Sequence, residues 1–321
     1  MLVILTNSTD ATADYVVARL VSNGFPFVRL DTDSLLGRVE FSYRPGKPSL
    51  RVGSDSLDPS HVSTVWYRRP ERLISEAIPN SPEGKCILDE WSEALEGFFA
   101  HIPAHRWINL PASNALASRK LEQLTRAQQL GLAIPETLVT QDVAELRQFF
   151  DRQNGEIIVK PLGTAYIERP LEEHDSLIFT NRVKAIDLDE LDDLKRCPTL
   201  FQQAIRKRTD VRISVIDQMI HAVELTAADE DGNQRCDIRR NNMADVAYKS
   251  TTLPTAIAER LLDLMSSYSL RFAAIDMAVD QDDQWYFFEI NPNGQWAWLD
   301  LCGATNIGDS LMSTFHADAR R

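Results

Sequence analysis

Two acidic residues and an amide recur on one face of a predicted β-hairpin near the end of the chain. Residues 271–291 form two runs of β-branched, aromatic and small residues, separated by the turn residues 281–284. With a four-residue loop, the antiparallel register places Asp276 opposite Glu289 and Ala274 opposite Asn291 on the same face. The other face is apolar and should lie on a core. Its cross-strand pairs would be Ile275 with Ile290, Met277 with Phe288, and Val279 with Tyr286.

The opposed carboxylates of Asp276 and Glu289 indicate a cation-binding site. Two carboxylates directly opposite each other repel, and a fold tolerates this arrangement when a cation lies between them. Together with the amide oxygen of Asn291 they suit a hard divalent ion. Mg²⁺ is favoured because it takes few protein ligands and shares its shell with substrate phosphates. The alternative is a solvated polar face that carries two acidic residues by chance.

Positively charged residues precede this hairpin, at places where predicted strands end or alternate. Lys160 ends the β-branched strand 156–160 before Pro161, and a lysine there can reach a phosphate as a point charge. Arg212 projects from the alternating strand 210–216, whose rigidity suits a charge-stabilising group. A triphosphate needs such cations together with one or two Mg²⁺ ions. For Lys160 alone, the alternative is a strand-end lysine that extends to solvent.

The elements that would position these residues alternate between strands and helices. The chain opens with a strand, a helix capped by Ser8 or Thr9, and a second strand, which is the βαβ pattern of a doubly wound α/β sheet. No GxGxxG motif follows the first strand, so a dinucleotide is not expected, and P-loop and kinase signatures are absent. A helix predicted from about Asn114 to Leu130 carries Lys120 near its beginning.

Two arginines, Arg68 and Arg69, follow the predicted strand 63–67. Arginines at a strand end could grip an anionic group. They could equally form an internal ion pair or a solvated edge, and the sequence leaves these alternatives open. One hypothesis is that they seat a peptide substrate or support dimer contacts.

Composition excludes several classes of protein. The formal net charge of −13 argues against broad binding to the phosphate backbone of nucleic acid. No apolar run approaches the roughly 20 residues that span a bilayer, and the start of the chain lacks the features of a signal peptide. The four cysteines are far apart and form no CxxC pair, which indicates neither zinc nor a disulfide framework. A cytoplasmic location without a membrane partner is therefore expected.

Three stretches carry a family pattern: VWYRRP at 65–70, VKPLG at 159–163 and EINPNGQW at 289–296. Together they resemble the ATP-grasp superfamily and, within it, the ATP-grasp ribosomal-peptide maturases, the graspetide or microviridin-type macrocyclases. The EINP stretch fits many ATP-grasp ligases, whereas its extension through GQW, combined with WYRRP, is more specific. The superfamily match covers about residue 106 to the end. One departure is the loop 163–166, which has a single glycine where the superfamily is often glycine-rich.

This resemblance implies an α/β ATP-grasp fold with an N-terminal α/β pre-ATP-grasp domain and two lobes that enclose the nucleotide. The implied domains are 1–105, 106–199 and 200–321, and the last of these carries the Mg-binding hairpin. The implied cofactors are ATP and Mg²⁺. The implied site residues are Lys120 and Lys160 at the ATP phosphates, Gln203, Ala204 and Ile205 at the adenine hinge, Arg212 and Arg239 at the γ-phosphate or acyl phosphate, and Asp276, Glu289 and Asn291 at Mg²⁺.

The function that the resemblance implies is ATP-dependent ligation of Asp or Glu side chains in a ribosomal precursor peptide. Each carboxylate would become an acyl phosphate and then join a Ser or Thr hydroxyl as an ester, or a Lys amine as an amide, closing a macrocycle. The peptide is the expected partner, a homodimer is usual in such ligases, and no nucleic acid is expected. The alternatives are a ligase of free amino acids or small metabolites and a non-catalytic nucleotide-binding or peptide-binding module.

Overall fold

The fold is known from a computed structural model of the 321-residue chain. The structure describes residues 1–53, 55–163, 166–167, 176–189, 191–240 and 243–321. Mixed α/β architecture runs through these residues, as predicted. None of the helices among them is long and apolar enough to cross a membrane.

The first part of the chain forms a parallel sheet in the order β2-β1-β6-β7. The residues between β2 and β6 form a separate small antiparallel sheet, β3-β4-β5. Strands β1 and β2 pair in parallel around helix α1, which confirms the predicted βαβ opening. The side chain of Asp10 caps α1, so the predicted cap at Ser8 or Thr9 is wrong by one or two residues. The elements are β1 (Leu2–Thr6), α1 (Ala11–Ser22), β2 (Phe27–Asp31), β3 (Val39–Arg44), β4 (Lys47–Val52), β5 (Asp55–Leu57), β6 (Thr64–Tyr67), α2 (Pro82–Phe99) and β7 (Trp107–Ile108).

The middle of the chain forms an antiparallel sheet in the order β12-β9-β13-β8, and the strands β10 and β11 form a separate antiparallel pair. Helix α5 packs on this sheet through Leu146 and Phe149, which are buried against Ile157 and Phe201. The elements are α3 (Pro111–Ala117), α4 (Lys120–Gln129), β8 (Thr137–Thr140), α5 (Val143–Arg152), β9 (Ile157–Lys160), β10 (Tyr166–Ile167), β11 (Ser176–Leu177), β12 (Asn181–Arg182) and β13 (Thr199–Gln203).

The single helix predicted over 114–130 is in fact two helices, α3 and α4. The break falls at Ser118 and Arg119, and Lys120 is the first residue of α4. Lys120 therefore lies at a helix N-terminus, where the unpaired N–H groups and the helix dipole favour a bound anion.

The last part of the chain forms an antiparallel sheet in the order β16-β15-β14-β17-β18. Helices α4 and α6 cover one face of it, and the shared core includes Leu124, Ile213, Leu261 and Ile275. Helix α8 instead packs beside the N-terminal sheet, where Phe315 is buried with Leu2 and Ile4. The elements are β14 (Lys207–Ile216), β15 (Met219–Thr226), β16 (Ala247–Thr251), α6 (Thr255–Ser267), β17 (Phe272–Asp280), β18 (Trp285–Asn291), α7 (Ala297–Leu301) and α8 (Ile307–Ala319).

The β17-β18 hairpin contains a β-bulge that the sequence did not reveal. Asp276 faces Glu289, as predicted, but the register shifts beyond this pair and Met277 faces Phe287. Phe288 is the extra residue of the bulge. The predicted pairs Met277 with Phe288 and Val279 with Tyr286 are therefore wrong, and Val279 instead faces Trp285.

Candidate active site

One cavity of about 640 Å³ is lined by residues of the middle sheet and of the last sheet. Charged side chains line the cavity, and apolar side chains such as Ile158 and Leu225 also line it. The ten residues that the sequence predicts for the site all line this cavity: Lys120, Lys160, Gln203, Ala204, Ile205, Arg212, Arg239, Asp276, Glu289 and Asn291.

The acidic residues of the hairpin lie next to each other on the cavity face. Asp276 is directly opposite Glu289, and Asn291 is directly opposite Ala274, as predicted. The chain itself supplies positive charge next to both carboxylates. Arg212 Nη1 donates to both oxygens of Asp276, at 2.7 and 2.8 Å. Lys120 Nζ lies 3.5 Å from Glu289 Oε2.

Two lysines and Glu289 determine the electrostatics of this end of the cavity. Burial alone would raise the pKa of Glu289, but Lys120, Lys160 and Arg212 outweigh it and hold that pKa below its usual value. Burial also lowers the pKa of Lys160 to about 8; Glu289 opposes this shift and Lys120 adds to it. Glu289 is therefore an anion at neutral pH, and Lys160 changes charge close to physiological pH.

Arg212 lies on β14, directly opposite Asp276 on β17. Its Nη2 donates to the backbone carbonyl of Gln295 at 2.9 Å. Gly294 permits this approach, because a Cβ there would lie 3.0 Å from Arg212 Nη2 and 2.3 Å from the Cβ of Ala274. The guanidinium is consequently fixed by the hairpin on one side and by the segment after β18 on the other.

Arg239 belongs to the loop between β15 and β16, and Asp237 holds it. Arg239 Nε and Nη2 donate to the two Asp237 oxygens, at 2.9 and 2.7 Å. Asp237 also accepts from the N–H of Thr180 at 3.0 Å, which ties the loop to the middle sheet. Burial would raise the pKa of Asp237, but these hydrogen bonds and the charge of Arg239 lower it overall. Asp237 was not predicted, and an acidic residue two positions before Arg239 is a weak sequence signal.

The segment Gln203–Ile205 leaves the middle sheet and enters the last one. The Gln203 N–H donates to Glu136 O at 2.8 Å, and the Ala204 N–H donates to Glu156 O at 2.9 Å. Within the described residues, the Ala204 carbonyl and the Ile205 N–H have no hydrogen-bond partner. These two groups belong to one trans peptide unit and point in opposite directions, so one of them at a time can face a base in the cavity.

The donor set suits the predicted Mg²⁺. Two carboxylates and one amide oxygen are hard ligands, and Mg²⁺ characteristically combines one or two protein carboxylates with substrate phosphates. Among the residues that the structure describes, the Asn291 side-chain oxygen accepts a hydrogen bond from the Asn293 N–H alone, at 2.9 Å, and so keeps a lone pair. In the part of the chain that is described, no group of three or more His, Cys, Asp or Glu side chains forms a metal cage. The site therefore fits an ion whose shell the phosphates complete.

Comparison with known proteins identifies the family. Residues 1–114 match the family described as the MvdD pre-ATP-grasp domain. Residues 122–291, more than half of the chain, match the ATP-grasp domain of prokaryotic glutathione synthetase. The chain belongs to the ATP-grasp family. A search of curated proteins returns no match.

Solved structures of ATP-grasp enzymes resemble the chain over nearly its whole length. The macrocyclase MdnC of Microcystis aeruginosa, bound with the precursor peptide MdnA, is 29% identical; the match covers 94% of each chain, with a TM-score of 0.78. A RiPP-associated ATP-grasp ligase of Chryseobacterium gregarium, in complex with ADP and a leader and core peptide, is 26% identical over 98% of this chain and 96% of that chain, with a TM-score of 0.82. The macrocyclase MdnB of Microcystis aeruginosa is 28% identical over 98% of each chain, with a TM-score of 0.77. The predicted ATP-grasp fold, the N-terminal pre-ATP-grasp domain and the resemblance to peptide maturases are confirmed.

A buried ionic cluster of the ATP-grasp cavity was missed in the sequence. Lys207 Nζ donates to both Asp210 oxygens, at 2.8 and 2.9 Å, and Gln234 Nε2 donates to Asp210 Oδ2 at 2.7 Å. Burial raises the pKa of Asp210, while Lys207 and Gln234 oppose the shift. Strand alternation places Asp210 on the same face of β14 as Arg212, two positions away, but it does not reveal the partners Lys207 and Gln234.

The two arginines after β6, Arg68 and Arg69, lie in different environments in the structure. Arg68 is only 1% exposed and forms an ion pair with Asp10, with 3.3 Å between Nε and Oδ2. The internal ion pair, one of the alternatives, is therefore correct for Arg68, and a direct contact of its side chain with a peptide or a second subunit is not. Arg69 is exposed and lines the cavity. Of the loop 163–166, residues 164 and 165 lie outside the described residues.

Proposed function

We propose that the protein is an ATP- and Mg²⁺-dependent ligase that closes macrocycles in a ribosomally made precursor peptide. One observation supports this proposal best. Cationic residues, paired acidic residues and the segment Gln203–Ile205 line one cavity, in a chain with a MvdD pre-ATP-grasp domain. Structures that resemble the chain over more than 90% of its length contain a precursor peptide, or ADP with a leader and core peptide.

The proposed reaction has two steps. A carboxylate oxygen of an Asp or Glu side chain in the peptide attacks the γ-phosphorus of ATP, which gives an acyl phosphate and ADP. A Ser or Thr hydroxyl, or a Lys amine, then attacks the acyl carbon, and phosphate leaves with the bonding electron pair. The proton of the nucleophile is released, and each completed link lowers the peptide mass by one water.

The charged residues of the cavity have complementary roles in this proposal. Lys120 and Lys160 bind the phosphates, with Lys120 at the N-terminus of α4. Arg212 and Arg239 neutralise the charge that develops on the transferred phosphoryl group. Asp276, Glu289 and Asn291 would hold Mg²⁺, which when bound would supply positive charge to the phosphates. No nucleophilic residue of the protein is required, because phosphate is the leaving group.

The adenine base is proposed to bind at Gln203, Ala204 and Ile205. One of the two unpaired groups of the Ala204–Ile205 peptide can face the base: the Ala204 carbonyl can accept from the adenine amino group, or the Ile205 N–H can donate to a ring nitrogen. Apolar side chains in the same cavity, including Ile158 and Leu225, offer surfaces on which the base can pack. A backbone group of the chain would thus recognise the base.

A ligase of free amino acids or small metabolites is the alternative enzyme, and a non-catalytic nucleotide-binding or peptide-binding module is the alternative of a different class. The pre-ATP-grasp match over residues 1–114 and the peptide-bound neighbours disfavour the first. The joint presence of a paired carboxylate site and several cations in one cavity disfavours the second, since binding alone does not need this set.

The deciding experiment is ADP release with ATP and Mg²⁺, with and without the precursor peptide encoded beside the protein, while the peptide mass is recorded. Peptide-dependent ADP and loss of one water per link are expected, and Glu289→Ala should abolish both. ADP release with free amino acids and an unchanged peptide would assign the protein to the small-molecule ligases. ATP binding without turnover of either substrate would favour the non-catalytic module.

Three further expectations belong to this proposal. The domain division at 1–105, 106–199 and 200–321 stays a prediction: the three parts have separate sheets, but β7 pairs in the first sheet and β13 in the middle sheet, so both sheets extend a few residues beyond these boundaries. A homodimer is proposed, with light scattering as its test. A cytoplasmic location is proposed because ATP, Mg²⁺ and a freshly made peptide are available together there.

A further inference from the structure

The segment that follows β18, Asn293–Gln295, is held by a residue of the N-terminal domain. Arg68 Nη1 donates to the carbonyls of Asn293 and Gly294, at 2.6 and 2.9 Å. Its Nη2 donates to Gln295 Oε1 at 2.7 Å. A single guanidinium therefore contacts all three residues of the segment.

Arg68 is itself rigidly placed. It directly follows β6, and its N–H donates to Leu5 O at 2.9 Å, which extends the parallel pairing with β1. Its Nε lies 3.3 Å from Asp10 Oδ2, and Asp10 is fixed by Thr6 and by the first turn of α1. Burial lowers the pKa of Arg68 to about 10, so the side chain remains a cation at neutral pH.

The far side of the same segment contacts the catalytic arginine. Arg212 Nη2 donates to the Gln295 carbonyl at 2.9 Å, so a shift of the segment moves the acceptor that orients Arg212. The packing leaves little room for adjustment, because a Cβ on Gly294 would come within 3.0 Å of Arg212 Nη2. Arg212 Nε is buried without a hydrogen-bond partner among the described residues, so its orientation depends on the two Nη groups.

We propose that Arg68 is a positioning residue for the ligase reaction: through the Asn293–Gln295 segment it sets the place of the Arg212 guanidinium across the domain boundary. This inference rests on the proposed function, in which Arg212 stabilises the transferred phosphoryl group. Through Arg68, the N-terminal domain then contributes to the chemical step, although Arg68 itself touches no substrate.

Lysine cannot replace Arg68 in this role. A lysine retains the charge near Asp10, but its single ammonium lacks the planar fork that bonds two carbonyls and an amide oxygen together. Arg68→Lys therefore removes part of the contact with the segment while leaving the buried charge. A displacement of a catalytic group by about 1 Å can lower a rate about a hundredfold.

The test compares Arg68→Lys with the control Thr64→Val at saturating ATP, Mg²⁺ and precursor peptide. Thr64 lies on the same strand, β6, and its hydroxyl makes a buried hydrogen bond with Asp318 in α8, 3.1 Å long, away from the segment. Arg68→Lys is expected to lower kcat by about tenfold to a hundredfold, with KM for ATP changed less than about threefold. Thr64→Val should retain the wild-type kcat, whatever its thermal stability.

A double-mutant cycle separates positioning from general destabilisation. If Arg68 acts through Arg212, adding Arg68→Lys to Arg212→Lys should change kcat by less than about twofold. Gly294→Ala, which perturbs Arg212 through the same segment, should show the same non-additivity. Should Arg68→Lys fail to fold, Gln295→Met removes the acceptor of Arg68 Nη2 while the carbonyl that binds Arg212 stays, and it takes the place of Arg68→Lys in the cycle.

The outcomes distinguish this inference from the proposed function. Wild-type kcat in Arg68→Lys, or equal losses in Arg68→Lys and Thr64→Val, would overturn the positioning role while peptide-dependent ADP formation by the wild type stands. Full additivity with Arg212→Lys would also overturn it. Absence of peptide-dependent ADP in the wild type would instead remove the proposed function and this inference together.

Discussion

Arg212 and Asp276 lie directly opposite each other on neighbouring antiparallel strands, and one guanidinium nitrogen, Nη1, donates to both carboxylate oxygens, at 2.7 and 2.8 Å. Each oxygen keeps a lone pair for a metal ion. A residue proposed for charge stabilisation and a proposed metal ligand are thus fixed relative to each other. The arginine and the ion would act on the phosphoryl group as one unit.

Replacement of Arg212 should affect turnover strongly. Arg212→Lys loses the two-sided contact with Asp276 and the Gln295 carbonyl, and we expect kcat to fall by about 10²–10³-fold, the size of one charge-stabilising donor. The measurement is peptide-dependent ADP formation at saturating ATP. The matched control is Arg208→Lys, since Arg208 lies on the same strand and pairs with Asp283 at the exposed end. Equal effects of the two changes would contradict the role of Arg212.

Glu289 should determine the Mg²⁺ requirement. Glu289→Gln keeps the shape of the side chain but removes a charge from the hard-ligand set, so the Mg²⁺ concentration for half-maximal activity should rise by about tenfold or more. Glu224→Gln is the control, because Glu224 lies in the same sheet and pairs with Lys249 instead. An unchanged Mg²⁺ titration in Glu289→Gln would show that Asp276 and Asn291 bind the ion without it.

The hairpin illustrates how far sequence reasoning reaches. Alternation fixes which side chains share a face, so counting from the turn placed Asp276 opposite Glu289 and Asn291 opposite Ala274. Counting cannot reveal a bulge. Phe287 and Phe288 are the same amino acid, so the residue types do not show which of them faces the core. The predicted pairs of the proposed metal ligands are correct because two differences cancel: next to the turn the register is shifted by one residue, with Val279 opposite Trp285, and the bulge shifts it back before Asp276 and Glu289.

The bulge gives Phe287 and Phe288 opposite roles. Phe287 is fully buried in the core, and Phe287→Ala should lower the free energy of unfolding by about 3–5 kcal/mol. Phe288 lines the cavity, and its ring centroid lies 5.7 Å from Lys160 Nζ. Phe288→Ala should therefore lower that free energy by no more than about 1 kcal/mol but weaken ATP binding. Denaturant unfolding and nucleotide titration of both variants check this, and the predicted register without a bulge would reverse the result.

Contacts between distant parts of the chain lay beyond sequence reasoning. Arg68 is 225 residues from Asn293, whose carbonyl accepts from it, and no local pattern distinguishes a buried arginine from an exposed one. The neighbouring Arg69 has the same residue type and the same strand end but remains exposed. Asp237 was missed for a similar reason, because its partner Thr180, which directly precedes β12, is 57 residues away in the sequence.

Lys160 should make ATP binding depend on pH. Burial lowers the pKa of this ammonium to about 8 in the free protein, so it loses its charge as pH rises through that value. The affinity for ATP, measured at constant Mg²⁺ from about pH 7 to about pH 9.5, should decline across this range as the charged form disappears. Lys160→Arg keeps the charge throughout and should flatten the profile. Lys249→Arg, on an exposed strand, should leave the wild-type profile intact.

The contribution of Lys160 to protein stability should change with pH in the opposite direction to the affinity for ATP. The folded-state pKa is below the unfolded value of 10.5, so between about pH 8 and 10.5 the unfolded chain binds more protons at this residue. The contribution of Lys160 to the free energy of unfolding therefore increases with pH in that window. Below about pH 8 the burial of the charge opposes folding in full, and Lys160→Met should raise Tm at pH 7 by more than at pH 10. An equal rise at both pH values would show that the ammonium is not destabilised by burial, and the affinity profile would then need another titrating group.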